Sequence, residues 1–415
     1  MKKKSPLLII FLTVMIDLIG FGLVLPILPM YGKNFGASGP MIGIIMASYS
    51  LMQFIFAPIW GRISDRIGRR PVLLASTAFA AVSYVMFAIG SGLENKTVAI
   101  WVILLSRVLA GVCGANITVA QAYIADISPP ELRSARMGLI GMAFGLGFIL
   151  GPPLGGESSY IFNSLSAPGW VAASLCALNF ISAFMLLPES WKPSAEHLSQ
   201  QRPHVEQWLH TLGTPKIGLL IGIFFLATFC FSSFETTIGL LLMHNYHIDT
   251  SVGAGLRKVG WLVAYCGFVG ALIQGGGTKR FVKKYGEPKV IAASLILAGV
   301  GVMALPYLTS WGSLLIWLAI FSIGSSLTRP PVFGMISMLT SSHEQGTNLG
   351  VAQGVGSLAR IVGPLFALSL FDLHPAVPYL ICGALCLITG AATARYLSHV
   401  HPATAAGGEP ATPPA

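Results

Sequence analysis

Asp17 and Glu235 are carboxylates set inside long apolar stretches, and Arg107, Arg329 and Arg360 are guanidinium groups set the same way. Residue types placed like this can do a narrow set of things. A carboxylate takes up and releases protons, and it can hold a cation. A guanidinium keeps its charge and pairs with an anion or an acceptor. Inside a membrane each charge costs at least ~2.5 kcal/mol, so each must be paired, hydrated or, for an acid, protonated. Asp17 would lie roughly 15 Å deep if its stretch is helical. The chemistry on offer is proton movement and the holding of charged solutes.

Other chemistries lack their residues. No Gly-rich nucleotide loop, nucleophile elbow or metal-ligand spacing is present, so an enzyme is not expected. Without an ATP motif, an ion gradient is the expected energy source. The cysteines, Cys113, Cys176, Cys230, Cys266, Cys382 and Cys386, all fall in apolar stretches and form no Cys-x-x-Cys pair. They read as core residues, and no cofactor or metal is expected.

The elements that must hold these groups are membrane helices. Of 415 residues, 54% are hydrophobic and only 10% charged. A soluble domain carries about 25% charged residues. Continuous apolar runs, rather than alternating ones, favour helices over barrel strands. Twelve spans are expected near 7–31, 40–60, 71–92, 98–125, 136–156, 168–188, 216–243, 258–277, 288–308, 312–340, 347–371 and 375–396. The first is too long for a signal peptide and contains Asp17. The net charge of +10 follows topology and does not point to nucleic acid. Lys2, Lys3, Lys4, Arg62, Arg66, Arg69, Arg70 and the Lys279–Lys289 group share one side, whereas the other holds only Lys33, Lys96, Arg257 and Lys258. By the positive-inside bias both termini are cytoplasmic.

The chain divides at a polar stretch, Pro188–Pro215, with Glu189, Lys192, Glu196, Glu206 and three histidines. The expected units are a six-helix bundle over 1–188, a linker over 189–215, a second bundle over 216–397 and a disordered tail over 398–415. The bundles repeat one another. Gly43 and Pro71 recur as Gly260 and Pro288, and Gly138, Gly151 and Pro152 recur as Gly350, Gly363 and Pro364. Two related halves around a midplane site is a transporter architecture.

Five segments resemble the major facilitator superfamily, in particular its twelve-span drug:proton antiporters, the tetracycline-efflux and NorA-like multidrug pumps. The most specific is Gly61–Arg70, GRISDRIGRR, which is similar to the superfamily's G-x-x-x-D-R-x-G-R-[RK] signature. Physically it is a tight loop whose Asp65 could cap a helix N-terminus. The resemblance implies a cytoplasmic latch of Gly61, Asp65, Arg66, Gly68, Arg69 and Arg70, with Asp65 meeting the other half and Arg69 pairing with an acid such as Asp126. Read alone, the loop is a basic anchor. Asp17–Pro29 resembles the antiporters' first-span motif, and its Pro26 and Pro29 free backbone carbonyls and bend the helix. Arg107 with Gly111 resembles an R-x-x-x-G motif linked with proton transfer; on its own, Arg107 needs an acidic or carbonyl partner.

Gly147, Gly151, Pro152, Gly155 and Gly156 resemble the antiporter motif G-x-x-x-G-P-x-x-G-G, which implies export. Three of these glycines, four apart, make a ridge that lets a neighbouring helix pack closely. Ser232–Thr237 and Arg329-Pro330 resemble the NorA-like pumps. That group carries an acid where this chain has Ser326, and the third- and ninth-span acids of tetracycline pumps are missing. Proton coupling thus rests on Asp17 and Glu235, with Arg107 tuning one of them. The two acids are expected near symmetric positions across a cavity.

The expected cavity walls offer Tyr49, Gln53, Asn116, Gln121, Phe229, Phe231, Phe234, Gln274 and Gln353. Aromatic faces with few polar groups suit amphipathic or cationic organic molecules, while unpaired Arg329 and Arg360 would favour an anionic or zwitterionic one. The expected protein is a monomeric inner-membrane exporter of small amphipathic molecules in exchange for protons, its partners being substrate, protons and lipid. The alternatives are a same-fold transporter of another solute (tetracycline-specific, sugar or metabolite efflux, or uptake) and a non-transporting membrane protein.

Overall fold

A computed structural model describes residues 5–114, 116–191, 205–250, 253–340 and 345–396. The expected tail over 398–415 lies outside them, as do 192–204 of the expected linker. Among the described residues the chain is all helical, with twelve helices long and apolar enough to cross a membrane.

The first span is two helices, α1 (Pro6–Val24) and α2 (Leu28–Asn34). Pro26 sits in the gap and Pro29 in the first turn of α2, where a missing N–H costs nothing. Then follow α3 (Gly39–Ile67), α4 (Arg69–Ser91), the pair α5 (Lys96–Cys113) and α6 (Asn116–Asp126), α7 (Pro130–Ile161) and α8 (Ala167–Leu186). A short helix, α9 (Val205–Gly213), leads into α10 (Pro215–Tyr246). The eighth span is α11 (Gly253–Leu272), a π-helical turn Ile273–Gly277 and α12 (Thr278–Tyr285). The last four are α13 (Glu287–Ala304), α14 (Trp311–Leu339), α15 (Gln345–Leu373) and α16 (Val377–Tyr396).

Several helices outrun their hydropathy. The second span, expected to end at 60, continues to Ile67 through Arg62, Asp65 and Arg66. Helical hydrogen bonding does not need apolar side chains, so it carries on past the apolar stretch. The expected tight loop is in fact a single residue, Gly68, at φ 102°. That left-handed backbone favours glycine. Gly286, at φ 80°, makes the matching turn between α12 and α13.

The two halves converge at one end. There Asp372 of α15 accepts from Lys33 Nζ at 2.5 Å and from the Gly39 backbone N–H. Asn34 Nδ2 donates to the Thr250 carbonyl at 3.0 Å. Glu157 of α7 holds Arg257 Nε at 2.8 Å and Trp261 Nε1 at 2.7 Å, both on α11. At the opposite end, the one that carries the basic turns, Gly138, Gly141 and Gly145 of α7 and Gly334 and Gly350 of α14 and α15 have no neighbour within 4 Å of an added Cβ. These positions are open, whereas at the distal end the two halves are held together by the contacts just named. Helix α9 reaches across the basic end: Trp208 packs against Gly354 of α15 and edge-on against Phe54 of α3, at 6.3 Å.

Candidate functional site

The first half holds its charges within its own interior. Asp17 Oδ1 accepts from Asn179 Nδ2 at 2.9 Å, and the same nitrogen reaches the Thr13 carbonyl at 2.9 Å. Beside Asp17 lies a small cavity of about 30 Å³, bounded by Tyr49, Ser76, Ser83 and Tyr84. That volume is about one water's share of liquid.

Arg107 is only 3% exposed. Its guanidinium lies 5.3 Å from the centre of the Tyr49 ring and 5.9 Å from that of Tyr84. The expectation of an acidic or carbonyl partner is corrected here. Among the described residues Arg107 forms no ion pair, and its Nη2 has no hydrogen-bond partner. Two aromatic faces supply the stabilisation, because a ring's negative face attracts a desolvated cation by ~2 kcal/mol.

Just beyond, the fourth span breaks between α5 and α6, although its hydropathy is continuous. Three side chains take up the carbonyls around the break. Trp60 Nε1 donates to Val112 O at 2.7 Å, Ser76 Oγ to Cys113 O at 2.5 Å and Gln53 Nε2 to Gly114 O at 2.9 Å. Freed carbonyls at membrane depth demand such partners. The Gln53 amide nitrogen is thus committed to the backbone rather than to a solute. The side chain of Asn116 lies outside the described residues.

The second half carries its charges on α10, α14 and α15. On α10 the face Phe231–Glu235–Gly239 repeats every fourth residue. Phe231 is 39% exposed, and the Gly239 position meets Met30 of the first half. Glu235 Oε1 is buried with no hydrogen-bond partner. Arg360 of α15 is near enough to act electrostatically on both Glu235 and the first half's Tyr49. It makes no hydrogen bond or ion pair among the described residues. Arg329 of α14 feels the charge of Arg360. Its Nη2 meets Gln353 Oε1 at 3.5 Å, and its guanidinium lies 5.6 Å from the rings of both Phe224 and Phe333. The site therefore has one bare carboxylate oxygen, two guanidinium groups without an acid partner and a ring surface.

Other expected wall residues divide. Gln121, Gln274 and Gln353 are exposed, Gln274 within the π-helical turn. Phe229 and Phe234 are corrected: they are 7% and 5% exposed. Phe229 packs on Phe366 at 5.0 Å and Phe234 on Phe321 at 4.3 Å. Both rings are thus packed within the second half. The near-symmetry expected of the two acids is also incomplete in surroundings. Asp17 is held by an amide inside its bundle, whereas Glu235 Oε1 is bare.

At the basic end, Arg69 contacts Asp65 through Nη1, meets Asp126 Oδ2 through Nε at 3.2 Å and Ser64 Oγ at 2.7 Å. Asp65 does not cap the next helix, because it lies inside the last turn of α3. That cap is Glu189, whose carboxylate accepts from the backbone N–H groups of Arg69 and Arg70 at 3.0 and 3.1 Å. A carboxylate at a helix N-terminus also meets a favourable dipole. The glycine ridge of α7 faces α1. A methyl at Gly151 would sit 2.6 Å from the Gly22 carbonyl carbon, and one at Gly147 2.8 Å from Leu18 backbone atoms.

Sequence reasoning missed Asn179 and Glu189. Asn179 carried the same signal as Asp17, a polar group in an apolar run. Glu189 carried none, since its role depends on where α8 delivers the chain.

Comparison with known proteins agrees with this architecture. The model of the Major Facilitator Superfamily matches residues 10–283 and 259–414. The tetracycline resistance protein, class E, of Escherichia coli is 32% identical over 374 residues, covering 88% of this chain and 87% of that one. The quinolone resistance protein NorA of Staphylococcus aureus is 27% identical over 378 residues, covering 90% and 92%. Among solved structures, the human organic anion transporter MFSD10 (TETRAN) superposes with a TM-score of 0.67 at 24% identity, covering 93% of this chain and 98% of that one. The nucleoside transporter NupG does so with 0.74 at 14%, covering 94% and 99%. On the model match and the identity to the tetracycline resistance protein, the chain belongs to the Major Facilitator Superfamily, as a multi-pass membrane transporter.

Proposed function

We propose that the protein exports small zwitterionic amphiphiles in exchange for protons, by alternating access. The observation that carries this is the pairing in one cleft of a carboxylate with a bare oxygen, Glu235, and two guanidinium groups without acids, Arg360 and Arg329. The sign of coupling narrows the solute. A cationic group on the solute competes with a proton for Glu235, which is the requirement of antiport. An anionic group neutralises the guanidinium groups, which otherwise repel one another. A purely anionic solute would compete with Glu235 itself for Arg360. Protonating Glu235 would then favour its binding, which is symport. Both charges together give antiport with the arginines satisfied. The kinship with tetracycline and quinolone resistance proteins supports export as the direction.

The basic turns and both termini would face the cytoplasm of a bacterial inner membrane, following the positive-inside bias. The cleft is then open to the cytoplasm and closed outside. In this reading the two halves, 1–188 and 216–397, rock as units around the site, and a single chain suffices. Asp17, next to its amide and a water-sized cavity, is a second proton site. Arg69 with Asp126 and Asp65 steadies the basic turn. One proton falling through ~150 mV releases roughly 3.5 kcal/mol, enough for a few-hundred-fold gradient.

Uptake of an amine-carboxylate amphiphile into everted vesicles with an acidic lumen tests the reading. The wild-type chain should accumulate it, and Glu235→Gln and Asp17→Asn should each lose accumulation while inserting normally. If both single variants still drove uphill uptake, the coupling assignment would be wrong. Accumulation driven by an alkaline rather than an acidic lumen would instead favour anion symport.

A further inference from the structure

At the distal end, away from the cleft, a groove of about 570 Å³ lies between the first turns of α11, the start of α14 and the end of α7. That is within the usual range for ligand sites. Its walls are aromatic, and each ring is held. Trp261 donates its Nε1–H to Glu157 at 2.7 Å. Tyr265 donates its hydroxyl to the Leu315 carbonyl at 3.2 Å. Trp311 packs on Tyr246 at 4.7 Å, and the Tyr246 hydroxyl bonds the Ser310 carbonyl at 3.1 Å. Tyr160 lies under the Arg257 guanidinium at 4.7 Å. Despite being fixed, these faces are open: Tyr160 is 48% exposed, Trp261 55% and Trp311 42%.

Two cations line the groove, and they differ. Arg257 is committed to Glu157 at 2.8 Å. Lys258 is exposed and has no ion pair or hydrogen bond among the described residues. Polarity is graded along α11. Lys258 comes first, Trp261 and Leu262 about a turn later, then Tyr265, with Leu315 facing them from α14. Cation, then rings, then aliphatic wall is the order in which a membrane lipid presents phosphate, glycerol and acyl chain. Scattered tryptophans and tyrosines are ordinary at membrane interfaces. A three-sided groove of tethered rings around a lysine without a counter-ion is more than that.

We propose that this groove is a binding site for an anionic phospholipid, with its phosphate on Lys258 and an acyl chain along Leu262 and Leu315. Of the walls, Tyr160 belongs to the first half, as does Glu157 which tethers Trp261, and the remaining walls belong to the second. A lipid seated here spans the seam beside the Glu157–Arg257 pair and favours the closed distal end.

The test is lipid retention by the intact chain in native mass spectrometry, after reconstitution with equal phosphatidylglycerol and phosphatidylcholine. The wild-type chain should retain phosphatidylglycerol preferentially. Lys258→Gln should lower that preference about fivefold, the factor expected of one lysine at a lipid phosphate. Lys258→Arg should keep it. Lys96→Gln, a charge-matched change elsewhere at the same end, should leave it unaltered. Equal loss in Lys258→Gln and Lys96→Gln, or loss in neither, would overturn the site. Displacement of the lipid by glycerol phosphate at similar concentration would overturn the lipid assignment, since a headgroup alone would then suffice.

Discussion

In the proposed function, Glu235, Arg360 and Arg329 divide the labour of recognition by charge. If a solute's carboxylate rests between the two guanidinium groups, blocking it as a methyl ester should weaken binding at least tenfold. A desolvated charged hydrogen bond is worth about 1.5–3 kcal/mol. Arg360→Gln should bind acid and ester almost equally, read by equilibrium binding to purified protein. Unchanged discrimination in Arg360→Gln would remove the arginine from the site. Arg107 obeys another logic. Its rings, Tyr49 and Tyr84, come from two different helices. No spacing in the sequence could announce that partnership. The ionisable residues themselves were legible, because a charge in an apolar run is visible without coordinates. Which partner each found was legible only where a motif named one, as Arg69 with Asp126.

At the scale of elements, hydropathy located the spans but not their faces or breaks. Helix α10 is apolar on nearly every side, so no periodicity told cleft from core. Phe229, Phe231 and Phe234 looked alike, and only Phe231 faces out. The break at Gly114 was hidden because Cys113 and Ile117 are as apolar as a continuous helix would need. Its evidence was dispersed over Gln53, Trp60 and Ser76, each from a different turn of α3 or α4. The glycine ridge was legible in full, except for its partner. Gly151→Leu should force α7 off α1 at a cost of about 1–3 kcal/mol, the usual penalty of overpacking. Thermal unfolding in detergent would show it as a lowered midpoint. Gly138→Ala, beside open space on the same helix, should be neutral or slightly stabilising. A loss of stability for Gly138→Ala equal to that for Gly151→Leu would show that α7 tolerates no substitution at all, and that the ridge is nothing special.

For the whole molecule, closure rests on few polar contacts at the distal end. Asp372 serves two partners from the other half, Lys33 and the Gly39 N–H. Both carboxyl and amine are about a third exposed, which makes the ion pair by itself worth ~0–1 kcal/mol. Such a clasp can be undone in each transport cycle. Spin labels at Glu94 and Thr309 should report a longer distance, several-fold more populated, in Asp372→Asn than in the wild-type chain. The swap Lys33→Asp with Asp372→Lys should restore only part of the closed population, because a lysine cannot accept from Gly39. Full restoration would mean that the backbone contact adds nothing.

The ridge of α7 has one more consequence, for how the molecule can change over generations. Where Gly147 and Gly151 lie against the backbone of α1, any new side chain must push the two helices apart. Phe231, Gln353 and Gln274 are exposed, and the contacts of Phe231 and Gln353 are with side chains rather than with a neighbour's backbone. Substitution is thus costlier at the seam than at the walls of the proposed cleft. If those walls choose the solute as proposed, a lineage under pressure from a new toxin can alter what it expels without having to reinvent how it moves.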